Sequence, residues 1–285
     1  MLIQNESINA YHTNAALGCT ACKKLHPELG GSPALFYDHQ TGIVPHVRKA
    51  CWDLGNAYHW YFLENHDFEN RVAIRPGGID FRNKVGKEWR DEQYASGRLI
   101  ITQQEMDALL LVDGRLVDDV RDALSQGETL IEPTIRIERD GYTTQARPDA
   151  WNPALGIADD LKTTAKFDNF EKDAFKLGYH FQDAWIRKHI LNETGELIGQ
   201  FRFLVVETVS PYRSAIRTWD ADALAIGQRL VDDTFEMLDH GFSAGYWPSD
   251  HLVNKIMSPP HWATEFIEYE PVDDDNCDPG TEVTL

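Results

Sequence analysis

The sequence predicts an α/β fold in which helices pack against a mixed β-sheet. Residues 129–152 alternate apolar and polar side chains around Asp140-Gly141, a pattern typical of a β-hairpin. The strongly apolar run at 196–211 indicates a long strand, and residues 221–242 have the periodicity of an amphipathic helix. The predicted order from residue 100 onward is helix, three strands, helix, strand, strand, helix, which favours a sheet covered by helices.

The first part of the chain predicts helices. A Gly-Gly turn opens a short helical patch within residues 30–44, and residues 53–65 place apolar side chains at helical spacing with His59 beside them. Thr102 and Glu105 have the spacing of a capping box, which predicts one or two helices over residues 102–126 with an interruption at Gly114.

The later part of the chain is predicted to hold the sheet. Residues 155–164 read as a third strand, 168–192 as a helix and 214–222 as a further strand. Because no linker rich in proline, glycine or serine divides the chain, we expect one domain over residues 1–270. Its helical part covers about 1–125 and its core about 126–265, followed by a disordered acidic tail at 271–285.

The composition limits the class of protein. The 285 residues are 42% hydrophobic, enough for a sizeable core. The apolar runs are shorter than the roughly 18 residues of a membrane span, and the start has no signal-peptide pattern, so we expect a cytoplasmic protein with no membrane partner. The net charge of −19 opposes phosphate binding, so a DNA enzyme with this balance needs divalent cations and a locally basic channel.

The four cysteines do not complete a recognisable metal motif. Cys19 and Cys22 form a CxxC pair, but neither a second pair nor a paired histidine motif accompanies it. We therefore expect free, partly buried thiols, and a cluster that also uses Cys51 and Cys277 is the alternative.

The stretch RPDAWNPALGIADDLKTT, residues 147–164, places two carboxylates and a lysine around one apolar strand. Strand side chains alternate between faces, so Asp160 and Lys162 share one face. Asp149 comes where the chain turns after the preceding strand, and Glu132 lies on the strand before that. A hairpin would bring both residues close to Asp160.

Carboxylates that converge in a partly buried site repel one another unless a cation lies between them. Oxygen ligands of this kind suit Mg²⁺, with Mn²⁺ as a substitute. A lysine on the same face can orient or deprotonate the attacking water, or neutralise developing charge. The set therefore predicts a phosphodiester hydrolase. The alternative is a surface turn followed by a charged strand end, because D-x-K occurs by chance and PD pairs open many turns.

Several ordered blocks carry a family resemblance: YH at 11–12, SPALFYDH at 32–39, GNAYHWYFLEN at 55–65, RPDAW at 147–151, DDLKTTA at 159–165, YHFQDAW at 179–185, WP at 247–248 and PHW at 260–262. In these blocks the chain resembles the PD-(D/E)XK nucleases, and among them the RecE-type exonucleases (the nuclease domain of exodeoxyribonuclease VIII). The resemblance covers about residues 7–265 and implies the restriction-endonuclease-like core with an N-terminal helical extension.

The resemblance implies a role for each residue of the predicted site. The implied metal ligands are Asp149, Asp160, the carbonyl of Leu161, His59 and Glu132. Lys162 resembles the lysine beside the attacking water, and Gln182 resembles the glutamine that follows the catalytic core. Without the resemblance, His59 reads as an ordinary half-buried helix histidine.

The chain departs from the family after Gln182. The family commonly has a tyrosine four residues after this glutamine, where this chain has Ile186. Tyr179, one turn before Gln182, is the alternative, although it lies in the wrong direction along the helix.

A second departure lies near the N-terminus. The segment LGCTACKKL, residues 17–25, stands where a serine-containing segment near the 5′ phosphate is expected. Thr20 and Cys22 are predicted to take that place in DNA binding, with Lys23 and Lys24 nearby, and a solvated helix face is the alternative for both lysines.

The resemblance implies Mg²⁺-dependent digestion of one strand of linear double-stranded DNA from its 5′ end, leaving a 3′ single-stranded tail. It further implies phage-type recombination with a RecT-type single-strand annealing protein, and a ring-like homo-oligomer, tetramer first and trimer second. One alternative is another PD-(D/E)XK nuclease, such as a RecB-like or CRISPR-adaptation single-strand exonuclease or an endonuclease. The other alternative is a non-catalytic DNA-binding scaffold.

Overall fold

The computed structural model describes residues 1–44, 50–125 and 127–248, with the side chains of residues 50–52 left out. The described helices are α1 (Ile8–Thr13), α2 (Cys19–Cys22), α3 (Pro33–Gln40), α4 (Ala50–Leu63), α5 (Phe68–Arg71), α6 (Lys84–Ala95), α7 (Gln103–Asp113), α8 (Asp118–Leu124), α9 (Phe170–Lys176), α10 (Tyr179–Thr194) and α11 (Ala221–Ala244). The described strands are β1 (Leu2–Ile3), β2 (Leu17–Gly18), β3 (Val72–Arg75), β4 (Leu99–Thr102), β5 (Leu130–Ile131), β6 (Thr134–Arg139), β7 (Tyr142–Ala146), β8 (Ala150–Asn152), β9 (Ile157–Thr164), β10 (Gln200–Glu207) and β11 (Ser214–Arg217).

A mixed five-stranded sheet forms the centre of the fold, with the strand order β11-β10-β9-β8-β5. Strands β9 and β10 pair in parallel along their full lengths, whereas the other neighbours are antiparallel. A second sheet has the order β1-β6-β7-β2, and β3 and β4 form a separate parallel pair. The predicted α/β class with a mixed sheet and flanking helices is confirmed.

The two central strands are buried on both faces. Phe203 and Val205 of β10 belong to the apolar cluster that contains α10 and α11, while Leu204 and Val206 face the cluster formed with α4, α7 and α8. Strands covered on both faces read as continuous apolar runs, which explains the pattern at 196–211. Polar side chains on β9 are therefore held inside the protein, beside the core.

Local signals in the sequence predicted several element boundaries correctly. The Thr102 hydroxyl accepts from the Glu105 amide at 3.1 Å, and the Glu105 carboxylate accepts from the Thr102 amide at 2.6 Å, so the capping box is confirmed. Helix α7 ends at Asp113, next to Gly114, as predicted. Strands β6 and β7 form the hairpin predicted around Asp140-Gly141.

The prediction of one helix over residues 168–192 is wrong, because the chain forms α9 and α10 with a break between them. Gly178 in this break has φ +69°, a left-handed conformation that suits glycine. The N-terminal part is also less helical than predicted, since β1 and β2 pair with β6 and β7 and extend the second sheet.

Some predictions concern residues that the structure describes only in part. The tail at 271–285 and the block at 260–262 lie outside the described residues. Cys19 and Cys22 are free thiols, and the side chains of Cys51 and Cys277 lie outside the described part. Within that part, no helix is long and apolar enough to cross a membrane.

Candidate metal centre

Asp149 lies beside β9 because β8 begins immediately after it. Ala150 is paired with Asp159 in the antiparallel ladder, so Asp149 stands one step beyond that pair. The backbone N–H of Leu161 donates to Oδ2 of Asp149 at 2.7 Å. This contact fixes Asp149 next to Asp160, as the D-to-D-x-K spacing predicted.

The Leu161 carbonyl faces the same side of β9 as Asp149. The N–H and C=O of one strand residue point in the same direction, and the Leu161 N–H is directed at Asp149. Because β8 starts at Ala150, its pairing with β9 does not extend to Leu161. The carbonyl therefore lies on the Asp149 side of β9, which is compatible with the role of metal ligand that the family resemblance implies for it.

Glu132 joins the cluster from the neighbouring strand. Its backbone N–H donates to the carbonyl of Asp149 at 2.9 Å, which continues the β5–β8 pairing by one residue. Glu132 has φ +46°, a left-handed conformation that is uncommon for a residue with a side chain. Strain of this kind is found most often at functional sites.

Helix α4 carries His59 to the two acidic residues. The Nε2 atom of His59 lies 3.0 Å from Oδ1 of Asp149, and its Nδ1 atom lies 3.4 Å from Oε1 of Glu132. The imidazole thus bridges both carboxylates. Although His59 is distant from them in sequence, the packing of α4 against β9 makes it part of the site.

Two further side chains contact the carboxylate of Asp160. Nε2 of Gln182 on α10 donates to Oδ1 of Asp160 at 2.6 Å. The ammonium of Lys162 forms an ion pair with Oδ2 of the same carboxylate. Asp160 is almost completely buried, so these partners compensate for its loss of water.

Burial and the neighbouring charges shift the pKa values of the cluster. Burial, reinforced by repulsion from Asp149, raises the pKa of Asp160 to about 6 even though Lys162 opposes the shift. Burial lowers the pKa of His59, but the carboxylates of Asp149 and Glu132 outweigh it and raise that pKa to about 9. Burial also raises the pKa of Glu132. The carboxylates of Asp149 and Glu132 therefore keep His59 protonated and positively charged.

The donor set fits a divalent cation. Several hard oxygen donors and one imidazole converge, and the protons on His59 and Lys162 supply the positive charge that a cation would otherwise provide. A cation that uses His59 as a ligand must displace its proton, because only the neutral imidazole binds a metal.

The sequence did not single out two residues at this site. The first is Glu64, which places a ligand atom within 4.8 Å of ligand atoms of His59 and Glu132. Both carboxylate oxygens of Glu64 accept hydrogen bonds from Arg71 at 2.9 Å. Arg147 lies 3.4 Å from Glu132 Oε2. Glu64 lies in the block GNAYHWYFLEN, so its position five residues after His59 was the available signal.

The residues predicted near DNA have different surroundings. Thr20 is exposed, and Lys24 is half-buried. The ammonium of Lys23 donates to the Leu177 carbonyl at 3.1 Å. Cys22 is 0% exposed and belongs to the apolar core, so the prediction that it contacts DNA is wrong.

The fold and the site define a class of protein. A mixed sheet flanked by helices carries Asp149, Asp160 and Lys162 in the PD-(D/E)XK arrangement. Residues 19–251 match the model of a PDDEXK-like domain of unknown function, DUF3799, and the chain belongs to that family.

One solved structure shows the same fold. The chain is similar to a crystal structure of a proposed exonuclease from Eubacterium rectale, at 13% identity and a TM-score of 0.61, covering 92% of this chain and 98% of the other. A second structure, SSO0001, matches at 14% identity over 65% of this chain and 86% of its own, with a TM-score of 0.26, which is too low to show a shared fold. No curated protein matches the sequence significantly.

Proposed function

We propose that the chain is a Mg²⁺-dependent exonuclease that digests one strand of linear double-stranded DNA from its 5′ end and leaves a 3′ single-stranded tail. The observation that carries this proposal is the convergence of Asp149, Asp160, Lys162 and His59 on one point. Membership in a PDDEXK-like family and the likeness to a proposed exonuclease support the reaction class. The polarity rests on the resemblance to RecE-type enzymes.

The proposed ligands of the cation are Asp149, Asp160, the Leu161 carbonyl, His59 and Glu132, and Mn²⁺ is the expected substitute for Mg²⁺. When bound, such a cation polarises a phosphate oxygen and acidifies a nearby water. Gln182 holds one oxygen of Asp160, which leaves the orientation of the carboxylate fixed before any substrate arrives. A preorganised carboxylate needs no rearrangement during the reaction.

Lys162 is proposed to act as a cation. Burial disfavours its ammonium, but Asp160 and Asp149 outweigh that effect and raise its pKa above the ordinary value. A lysine in this state keeps its proton, donates hydrogen bonds to oxygen atoms and neutralises the charge that develops on the phosphate. Without a cation, burial raises the pKa of Asp160 to about 6, and a bound cation would hold this carboxylate in its ionised form.

The proposed setting follows from the same family resemblance. We expect the protein to act in the cytoplasm, to form a closed homo-oligomeric ring, tetramer first and trimer second, and to pass its product to a RecT-type annealing protein. A ring reconciles the net charge of −19 with DNA binding, since an acidic outer surface can surround a basic channel. In that channel, Thr20, Lys23 and Lys24 are the proposed contacts near the 5′ phosphate.

The test is digestion of a linear duplex that carries a label on either the 5′ or the 3′ end, with and without Mg²⁺. Lys162→Ala and Asp160→Ala are expected to lose activity, while Lys87→Ala, at an exposed lysine of α6, serves as a matched control. Early Mg²⁺-dependent release of the 5′ label as mononucleotide supports the proposal. Internal cuts or loss of the 3′ label would assign another nuclease activity, and DNA binding without cleavage would assign a scaffold.

A further inference from the structure

The first turn of α10 contacts both members of the D-x-K motif. Gln182 donates to Asp160, and the ring of Tyr179, three residues earlier, lies under the ammonium of Lys162 at 4.7 Å from Nζ to the ring centroid. Residues three apart lie on the same face of a helix. Asp160 and Lys162 likewise share one face of β9. Two neighbouring side chains on one face of α10 therefore contact two neighbouring side chains on one face of β9.

The ring of Tyr179 is itself held in place. Phe203 of β10, the strand neighbour of Asp160, stacks on it with the ring centroids 5.7 Å apart and an angle of 23° between the planes. Phe170 contacts it from α9, with centroids 6.2 Å apart. The break at Gly178 starts α10 at Tyr179, which sets the direction of this side chain. The ring is thus a rigid platform under the lysine.

The geometry points to a positioning role: we propose that the aromatic face of Tyr179 fixes the ammonium of Lys162 against Asp160. This inference rests on the proposed nuclease function, and it gives a role to Tyr179, a residue outside the D-x-K motif. An ammonium over an aromatic face is attracted by the ring quadrupole, and the attraction strengthens where water is excluded. The side chain of Lys162 is only 18% exposed, so the interaction is shielded.

The position that the resemblance assigns to a tyrosine cannot take this role. Ile186 is 2% exposed and packs in the apolar core with Trp185 and Ile190. Tyr179 instead approaches Lys162 from the start of the same helix. Lys23 also lies over the Tyr179 ring, with its ammonium 5.6 Å from the centroid, so the platform carries a second cation beside the site.

The experiment compares Tyr179→Leu, which removes the ring, with Tyr179→Phe, which keeps the ring and removes the hydroxyl. Tyr179→Leu is expected to lower kcat about tenfold, equivalent to about 1.4 kcal/mol, with the Mg²⁺ concentration for half-maximal activity unchanged. A change in the KM for DNA would report the separate loss of the ring under Lys23. Tyr179→Phe is expected to stay within about twofold of the wild type, because the ring face carries the interaction.

The matched control is Phe235→Leu. Phe235 packs in the same core cluster and lies under the ammonium of Lys188 at 5.0 Å. The guanidinium of Arg139 also lies over this ring, 4.6 Å from its centroid, and the ring contacts Trp185 and His189. This variant also loses an aromatic ring under a lysine, so it should lose thermal stability but keep kcat.

A second readout needs neither metal nor activity. In a double-mutant cycle of melting temperatures, Tyr179→Leu and Lys162→Met are expected to be coupled by about 2 °C, as are Phe235→Leu and Lys188→Met.

The outcomes separate the two proposals. Wild-type protein that does not cleave DNA would overturn the proposed function, and this role with it. An active wild type with equally active Tyr179→Leu, or with no coupling to Lys162, would overturn the positioning role alone. A loss in Tyr179→Phe as large as in Tyr179→Leu would overturn it too, because the hydroxyl would then be the acting group.

Discussion

The buried ion pair between Asp159 and Arg202 permits a quantitative test of the electrostatics next to the site. Both side chains lie on the sheet face opposite Asp160, and Arg202 is the strand neighbour of Asp159. Nε and Nη2 of Arg202 donate to the two carboxylate oxygens at 2.6 and 2.7 Å. The side chains are 10% and 6% exposed, so Arg202→Met leaves a buried carboxylate without its partner.

The expected loss follows from these contacts. Removing one partner of a buried ion pair typically costs about 3–5 kcal/mol in the free energy of unfolding, and both hydrogen bonds are lost here. Burial already raises the pKa of Asp159 while Arg202 is present. Without Arg202 this pKa rises further above its unfolded value, so the folded variant binds a proton more readily than the unfolded chain.

The sign of the pH dependence is therefore fixed. Because the pKa of Asp159 is raised in the folded variant, the loss of unfolding free energy in Arg202→Met is largest at pH 8. The loss becomes smaller as the pH falls through the pKa of Asp159, by at most about 1.4 kcal/mol per pH unit. Urea denaturation of wild type and variant at pH 8, 7 and 5.5 measures the deficit. The double variant Asp159→Leu/Arg202→Met removes both charges and should recover most of the loss. A deficit below about 1 kcal/mol, or one that is equal at pH 8 and 5.5, would refute the reasoning.

Two further predictions concern stability. Burial lowers the pKa of His189 to about 3, while its ring nitrogens contact Thr144 Oγ1 at 2.9 Å and the Trp185 carbonyl at 2.8 Å. Because the folded pKa is depressed, its contribution is present above the unfolded value near 6.5 and falls by about 2 kcal/mol between pH 7 and pH 5. Denaturation curves of His189→Gln should lack that component, and an unchanged pH slope would contradict it. In Gly227→Ala the new Cβ would lie 2.3 Å from the His180 carbonyl oxygen, forcing α10 and α11 apart at a cost of about 1–3 kcal/mol. The melting temperature should fall in this variant but not in Gly114→Ala, whose Cβ has ordinary contacts of 3.5 Å.

Much of the fold was predictable because its signals are local. The hairpin at Asp140-Gly141, the capping box at Thr102 and the interruption at Gly114 depend on neighbouring residues alone. The predicted helix over 168–192 failed because the apolar pattern continues across Gly178, whereas the backbone turns there with φ +69°. The spacing of apolar residues predicts which face of a helix is buried, but it does not predict where one helix ends and the next begins.

The candidate site divides in the same way. The spacing of Asp149, Asp160 and Lys162 is a property of two paired strands, so the sequence by itself determined that these groups converge. The sequence predicted partly buried thiols, but only the folded chain shows that the side chain of Cys22 lies fully inside the apolar core, away from any DNA.

Only the tertiary structure decided what surrounds the motif. Glu64 reaches Glu132 through the packing of separate segments, and Tyr179 meets Lys162 through the approach of α10 to β9. These contacts join residues that are distant in the chain, and no local pattern encodes the distance between two side chains on different elements. The sequence determined the reacting groups because strand alternation is local, whereas their positions and charges depend on burial and on neighbours that only the folded chain brings together.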